Sequence, residues 1–151
     1  MASSITSSIT VEAKKRWLNG DFGTSDTYKC ALIKGTTGTL TFNKNKDSYD
    51  DLSTDEISGT GYTAGGVTIT KTAGPGTTTG SETNGFLDFT DAQWTSATFS
   101  DVRGCVIYND SDANNTALCW INFGAEFAVT SGTFTIEWPA AAESTAIIRI
   151  A

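Results

Sequence analysis

Apolar and polar positions alternate with a period of two over much of this chain. In Thr133–Trp138 (TFTIEW), Phe134, Ile136 and Trp138 fall on one face and Thr133, Thr135 and Glu137 on the other. Val67–Thr72 alternates as VTITKT. Thr27–Lys34, Gly85–Phe89, Ala97–Phe99, Gly104–Tyr108, Ala117–Phe123 and Ala146–Ile150 are further short runs bounded by Gly, Asn, Asp and Ser. Eight or so short strands with frequent turn signals predict an all-β fold, an antiparallel, jelly-roll-like β-sandwich with one short N-terminal α-helix. The spacing places that helix over Val11–Asn19, with Thr10 as N-cap, Glu12 at the positive end and Gly20 just past the last turn. Trp17 and Leu18 supply its apolar area, and at about nine residues it must pack on something to persist. Met1–Thr10 is small and polar and reads as a flexible arm that orders on a partner; residues 11–151 form one domain. Residues 73–84 (AGPGTTTGSETN) have the composition of a mobile hairpin tip. Residues 35–66 read as loop or weak strand, ending in GTGYTAGG around Tyr62, where backbone turns account for the glycines.

Composition narrows the chemistry. The 151 residues are enough for one domain with a sizeable core. Twenty-six Thr and 14 Ser suit half-exposed pleated strands, and 15 Gly supply turns. A net charge of −7 repels phosphate backbones and argues against nucleic-acid binding. No run is long and apolar enough to span a membrane, and the N-terminus lacks the basic start and apolar stretch of a secretory signal. The absence of histidine removes the usual triad base and the commonest metal ligand, and no cofactor motif is present.

Acid–base chemistry would then fall to carboxylates. Asp47, Asp50, Asp51, Asp55 and Glu56 cluster in a polar loop behind Lys44 and Lys46, which predicts solvated charges rather than the convergent buried pair a glycosidase needs. Asp110, Asp112, Asn114 and Thr116 place oxygens at every second position, as a calcium loop does. The sixth position is Asn115 instead of Gly, however, and the twelfth is Ile121 instead of Glu, so an Asx-rich hairpin loop is expected. A hairpin centred on Asp112 sets Cys105 opposite Cys119, Tyr108 opposite Thr116 and Ile107 opposite Ala117. Direct cross-strand Cβ atoms lie about 4.5–5.5 Å apart, somewhat beyond the roughly 3.5–4.5 Å of a disulfide. Buried unpaired thiols are the expectation for a protein made in a reducing cytosol, with a Cys105–Cys119 bridge as the alternative. Cys30 has no obvious partner. Lys14, Lys15 and Arg16 form a basic cluster on the outer face of the helix.

Five segments, in order, carry a resemblance: VEAKKRWLNGDF, SDTYKCALIKG, EISGTGYTAGGVTIT, FLDFTDAQWTSATFSDVRGCVIYND and NFGAEFAVTSGTFTIEWP. Together they resemble small virion structural proteins of tailed bacteriophages, among them head decoration or cement proteins, over roughly residues 11–151. The resemblance implies a non-enzymatic β-sandwich, made in the host bacterial cytoplasm, that binds the major capsid protein on the capsid exterior as a homotrimer. Trp17, Tyr62, Trp94 and Trp138 are the candidate interface residues. Cys105 stands in RGCVIYN where the family pattern suggests a smaller aliphatic residue, which leaves a crosslink to Cys119 open after release into an oxidising medium. Two alternatives stand beside it: a tail, collar or fibre-associated virion component, and a carbohydrate-binding or adhesin module with Trp94 and Tyr62 as stacking surfaces.

Overall fold

A computed structural model describes residues 6–23, 25–34, 46–73, 85–142 and 145–150. The fold is all-β, with two antiparallel sheets and one short helix. The helix, α1, spans Val11–Asn19. Thr10 caps it, its hydroxyl accepting the Ala13 N–H at 3.1 Å. Gly20 ends it in the left-handed conformation at φ 76°, and the Asp21 N–H returns to the Arg16 carbonyl at 2.9 Å. Both ends are therefore satisfied by residues whose type announced them.

The strands are β1 (Thr6–Ile9), β2 (Tyr28–Lys34), β3 (Val67–Ile69), β4 (Lys71–Ala73), β5 (Gly85–Phe89), β6 (Ala92–Asn109), β7 (Ala117–Ile136) and β8 (Ile148–Ile150). One sheet has the order β1-β7-β6-β2-β3, the other β4-β5-β8. Three expectations change here. Thr6–Ile9, read as free arm, is a strand paired with β7, Ile9 opposite Cys119 and Thr6 opposite Asn122, while residues 1–5 lie outside the described residues. The run Val67–Thr72 divides at Thr70, β3 joining one sheet and β4 the other. Four of the short strands are pieces of one hairpin, because β6 and β7 run unbroken through Ser96, Asp101, Gly124 and Ser131. Those residues have positive φ (50°, 64°, 72° and 49°) but do not reverse the chain. They lie among the register shifts between β6 and β7, where a β-bulge bends the ribbon instead. The predicted tip at residues 73–84 falls outside the described residues beyond Ala73.

Bending lets one hairpin serve two purposes. Its closed half lies in the middle of the larger sheet, between β1 and β2. Its open half carries Trp94, Phe99, Phe134 and Ile136 against the main core. That core also takes Cys30 and Leu32 from β2, Leu87 and Phe89 from β5, and Ile148 from β8, so both sheets share it. The opposite face of the larger sheet is buried as well. Ala31, Ile33, Val106, Tyr108 and Trp120 form a second cluster with Leu52, under the segment that precedes a 3-10 turn at Ser53–Asp55. Burial on both faces explains why β2 and the second half of β6 read as nearly continuous apolar runs.

Candidate interaction surface

Among the described residues the exposed large hydrophobics are Val11, Leu18 and Phe127. Leu18 is the extreme case at 90% exposure. α1 packs on the larger sheet through Ala13, which is wholly buried, and is anchored where the Thr10 N–H meets the Leu118 carbonyl at 3.0 Å. Trp17 turns towards the body and meets Phe22, ring centres 5.4 Å apart. Leu18, roughly 100° further round the helix, is left outside.

Beside it lies a cleft of about 360 Å³ between α1 and the smaller sheet. Trp17, Phe22, Tyr28, Phe86, Leu87 and Ile148 supply its apolar lining, and Lys71 sits at its edge, its Nζ 6.0 Å from the Tyr28 ring centre. Phe127 marks a second place, on the open half of β7. Its ring meets Phe123 edge-on, centres 5.9 Å apart, with Glu126 held by Arg103 at 2.7 Å alongside.

The four aromatic residues proposed for an interface separate into two kinds. Trp17 lines the cleft, and Trp138 is half-buried, its Nε1 donating to the Thr90 carbonyl at 3.0 Å. Trp94 is interior and Tyr62 is partly buried against it, so the two do not form an exposed stacking platform. Trp94 is 2% exposed, and the Tyr62 ring stacks on it at 6.0 Å. Tertiary packing, which composition cannot show, drew both rings inward because the hairpin bends over them.

Tyr62 belongs to a polar network that the sequence reading missed. Glu56, expected among solvated loop charges, is only 9% exposed. Its carboxylate accepts the Tyr49 hydroxyl at 2.7 Å, the Tyr62 hydroxyl at 2.6 Å and the Gly65 N–H at 2.8 Å. Tyr62 in turn accepts the Leu32 N–H at 2.9 Å, and Tyr108 donates to the Gly65 carbonyl at 2.8 Å. Burial first, then the Glu56 hydrogen bond, pushes the Tyr49 and Tyr62 phenols far above their ordinary value. All these partners are the protein's own, so the network acts as a clasp holding the Gly-rich loop to β2. The one available signal was the apolar Ile57 directly after Glu56. Gly66 is where that loop comes closest: a Cβ there would stand 1.9 Å from the Cys30 carbonyl oxygen. The other acids keep surface partners, Asp55 with Lys46 at 3.3 Å and Asp51 with the Ser48 N–H at 3.4 Å.

The Asx-rich loop spends its oxygens on itself. Asp112 accepts the Asn114 and Thr116 amides, each at 3.3 Å, and the Thr116 hydroxyl, and pairs with Arg16 at 3.2 Å. Burial works to raise the Asp112 carboxyl, but these partners outweigh it and hold it below the usual range. Asp110 pairs with Lys29 at 3.0 Å. Of the basic cluster, Lys15 and Arg16 both reach Glu12, at 3.1 and 3.2 Å.

The cysteine register differs from expectation by two residues. Tyr108 faces Ala117, and a shift between Ile107 and Tyr108 then sets Ile107 opposite Cys119 and Cys105 opposite Ile121. Cys30 also faces Ile107, from the β2 side, so Cys30 and Cys119 flank one isoleucine that lies two residues along β6 from Cys105. All three are free and buried. The partner of Cys105 is the thiol of Cys30, which had none in the sequence reading. Burial, reinforced by Cys30, pushes the Cys105 thiol well up and Cys119 to about 12. Such thiols are poor nucleophiles.

The chain matches no family model, no curated protein and no solved structure. No helix among the described residues is long and apolar enough to cross a membrane.

Proposed function

We propose that this protein is a non-enzymatic structural component of a tailed-bacteriophage virion, a decoration or cement protein bound to the outer face of the head. The observation that carries this reading is the presence of two separate exposed apolar places on an acidic, Thr-rich surface, Leu18 with its neighbouring cleft and Phe127 with Phe123. A subunit of a surface lattice needs two interfaces, one to its neighbours and one to the shell. Many copies then hold by multivalency although each contact is small. The ordered sequence segments support the same reading. The major capsid protein is the partner, and Phe127 on the open half of β7 is the contact we assign to it.

Copy number tests the role. Quantitative mass spectrometry of purified particles should find the chain in numbers approaching those of the major capsid protein. A tail, collar or fibre part would be present in far fewer copies, and absence from the particle would refute a virion role altogether.

A further inference from the structure

Leu18 and the cleft beside it are complementary, and we propose that the cleft receives Leu18 of α1 from a second copy of this chain. This goes beyond the virion role and does not depend on it. A leucine exposed at 90% on a helix that buries Ala13 and packs Trp17 partly against the core does nothing for its own fold. The cleft offers about 360 Å³ among aromatic and aliphatic side chains, ample for one leucyl side chain together with part of the helix that bears it. Charge specifies the same occupant. The cleft's cation is Lys71, and Asp21, exposed, follows Leu18 by three residues on the chain that would approach it. Neither makes an ion pair with a described residue. A net charge of −7 on each copy opposes association, so a local Lys71–Asp21 pairing at the contact also offsets repulsion where the surfaces meet. Knob and hole lie side by side on one copy. Reciprocal insertion gives a twofold dimer, and insertion in one direction gives a closed ring such as the trimer that the resemblance implies.

Sedimentation of the full chain across a micromolar concentration series provides the test. Wild-type protein should sediment at two or three times 15.9 kDa. Leu18→Glu should weaken association by about tenfold or more while leaving far-ultraviolet circular dichroism unchanged, because the replaced side chain packs on nothing in its own subunit. Lys71→Glu and Asp21→Lys should each weaken it, and the two together should restore it. A monomer throughout, association that survives Leu18→Glu, or a combined charge swap as weak as either single one would overturn the proposal. A monomer that still coats particles would leave the virion role standing, and an oligomer absent from particles would do the reverse.

Discussion

Each of the four tyrosines has its phenol pushed above the ordinary value of 10.0, Tyr28 to about 12 and Tyr49, Tyr62 and Tyr108 further, burial being the leading cause in every case. A raised phenol means that the unfolded chain gives up its proton first. The contribution of these phenols to stability is therefore intact below pH 10 and falls as the pH climbs above it. A spectrophotometric titration should show no tyrosinate in the folded protein at pH 10, then one steep rise that coincides with loss of circular dichroism. A phenol titrating near 10 before unfolding would contradict the clasp around Glu56. Asp88 is the acidic counterpart. It is buried in β5, its carboxylate accepting the backbone N–H groups of Phe89, at 2.9 Å, and of Ile147. Burial pushes its carboxyl up, so it penalises folding increasingly as the pH rises above the unfolded value. Asp88→Asn should accordingly raise the melting temperature at neutral pH, with the gain vanishing in acid. An equal effect at both pH values would show that the substitution acts through packing.

At the level of elements, what could be read from the sequence and what could not has a physical pattern. α1 was legible to the residue because its signals are local: the hydroxyl of Thr10, the left-handed Gly20 and the spacing between them. β5 was legible for a similar reason, as a short apolar run with clear ends. The β6–β7 hairpin was not, because Ser96, Asp101, Gly124 and Ser131 are turn-forming types that here make bulges, and only the partner strand distinguishes the two. The cysteine register failed on the same ground, at the shift beside Tyr108. The exposure of Leu18 was illegible because the face that α1 buries is chosen by the sheet beneath it. Two loops carry predictions at this scale. Asp112→Ala removes the acceptor that organises Asp110–Asn115 and should destabilise the fold by about 2 kcal/mol in chemical denaturation. That contribution is present above the unfolded carboxyl value and is lost as the pH falls through the lowered one, so wild type and variant should converge in acid. Gly66→Ala sets a Cβ against the Cys30 carbonyl at φ 76° and should lose about 3 kcal/mol or more; a near-neutral result would mean that the loop does not lie on β2 as described.

The described residues form a two-sheet body whose exposed large apolar side chains are Val11, Leu18 and Phe127. That distribution suits adhesion between finished surfaces. It assigns separate effects to separate substitutions: Phe127→Asp should abolish particle binding without changing sedimentation, whereas Leu18→Glu should break up the oligomer and lower particle occupancy only through lost multivalency. Loss of self-association in Phe127→Asp would merge the two sites into one. The proposed virion role is tested most directly by cryo-microscopy of intact phage heads assembled with this chain present. Head decoration predicts density for the two-sheet body across the outer capsid surface, Phe127 towards the shell and α1 towards a neighbouring copy. Heads with a bare outer surface, or copies confined to the tail, would contradict it.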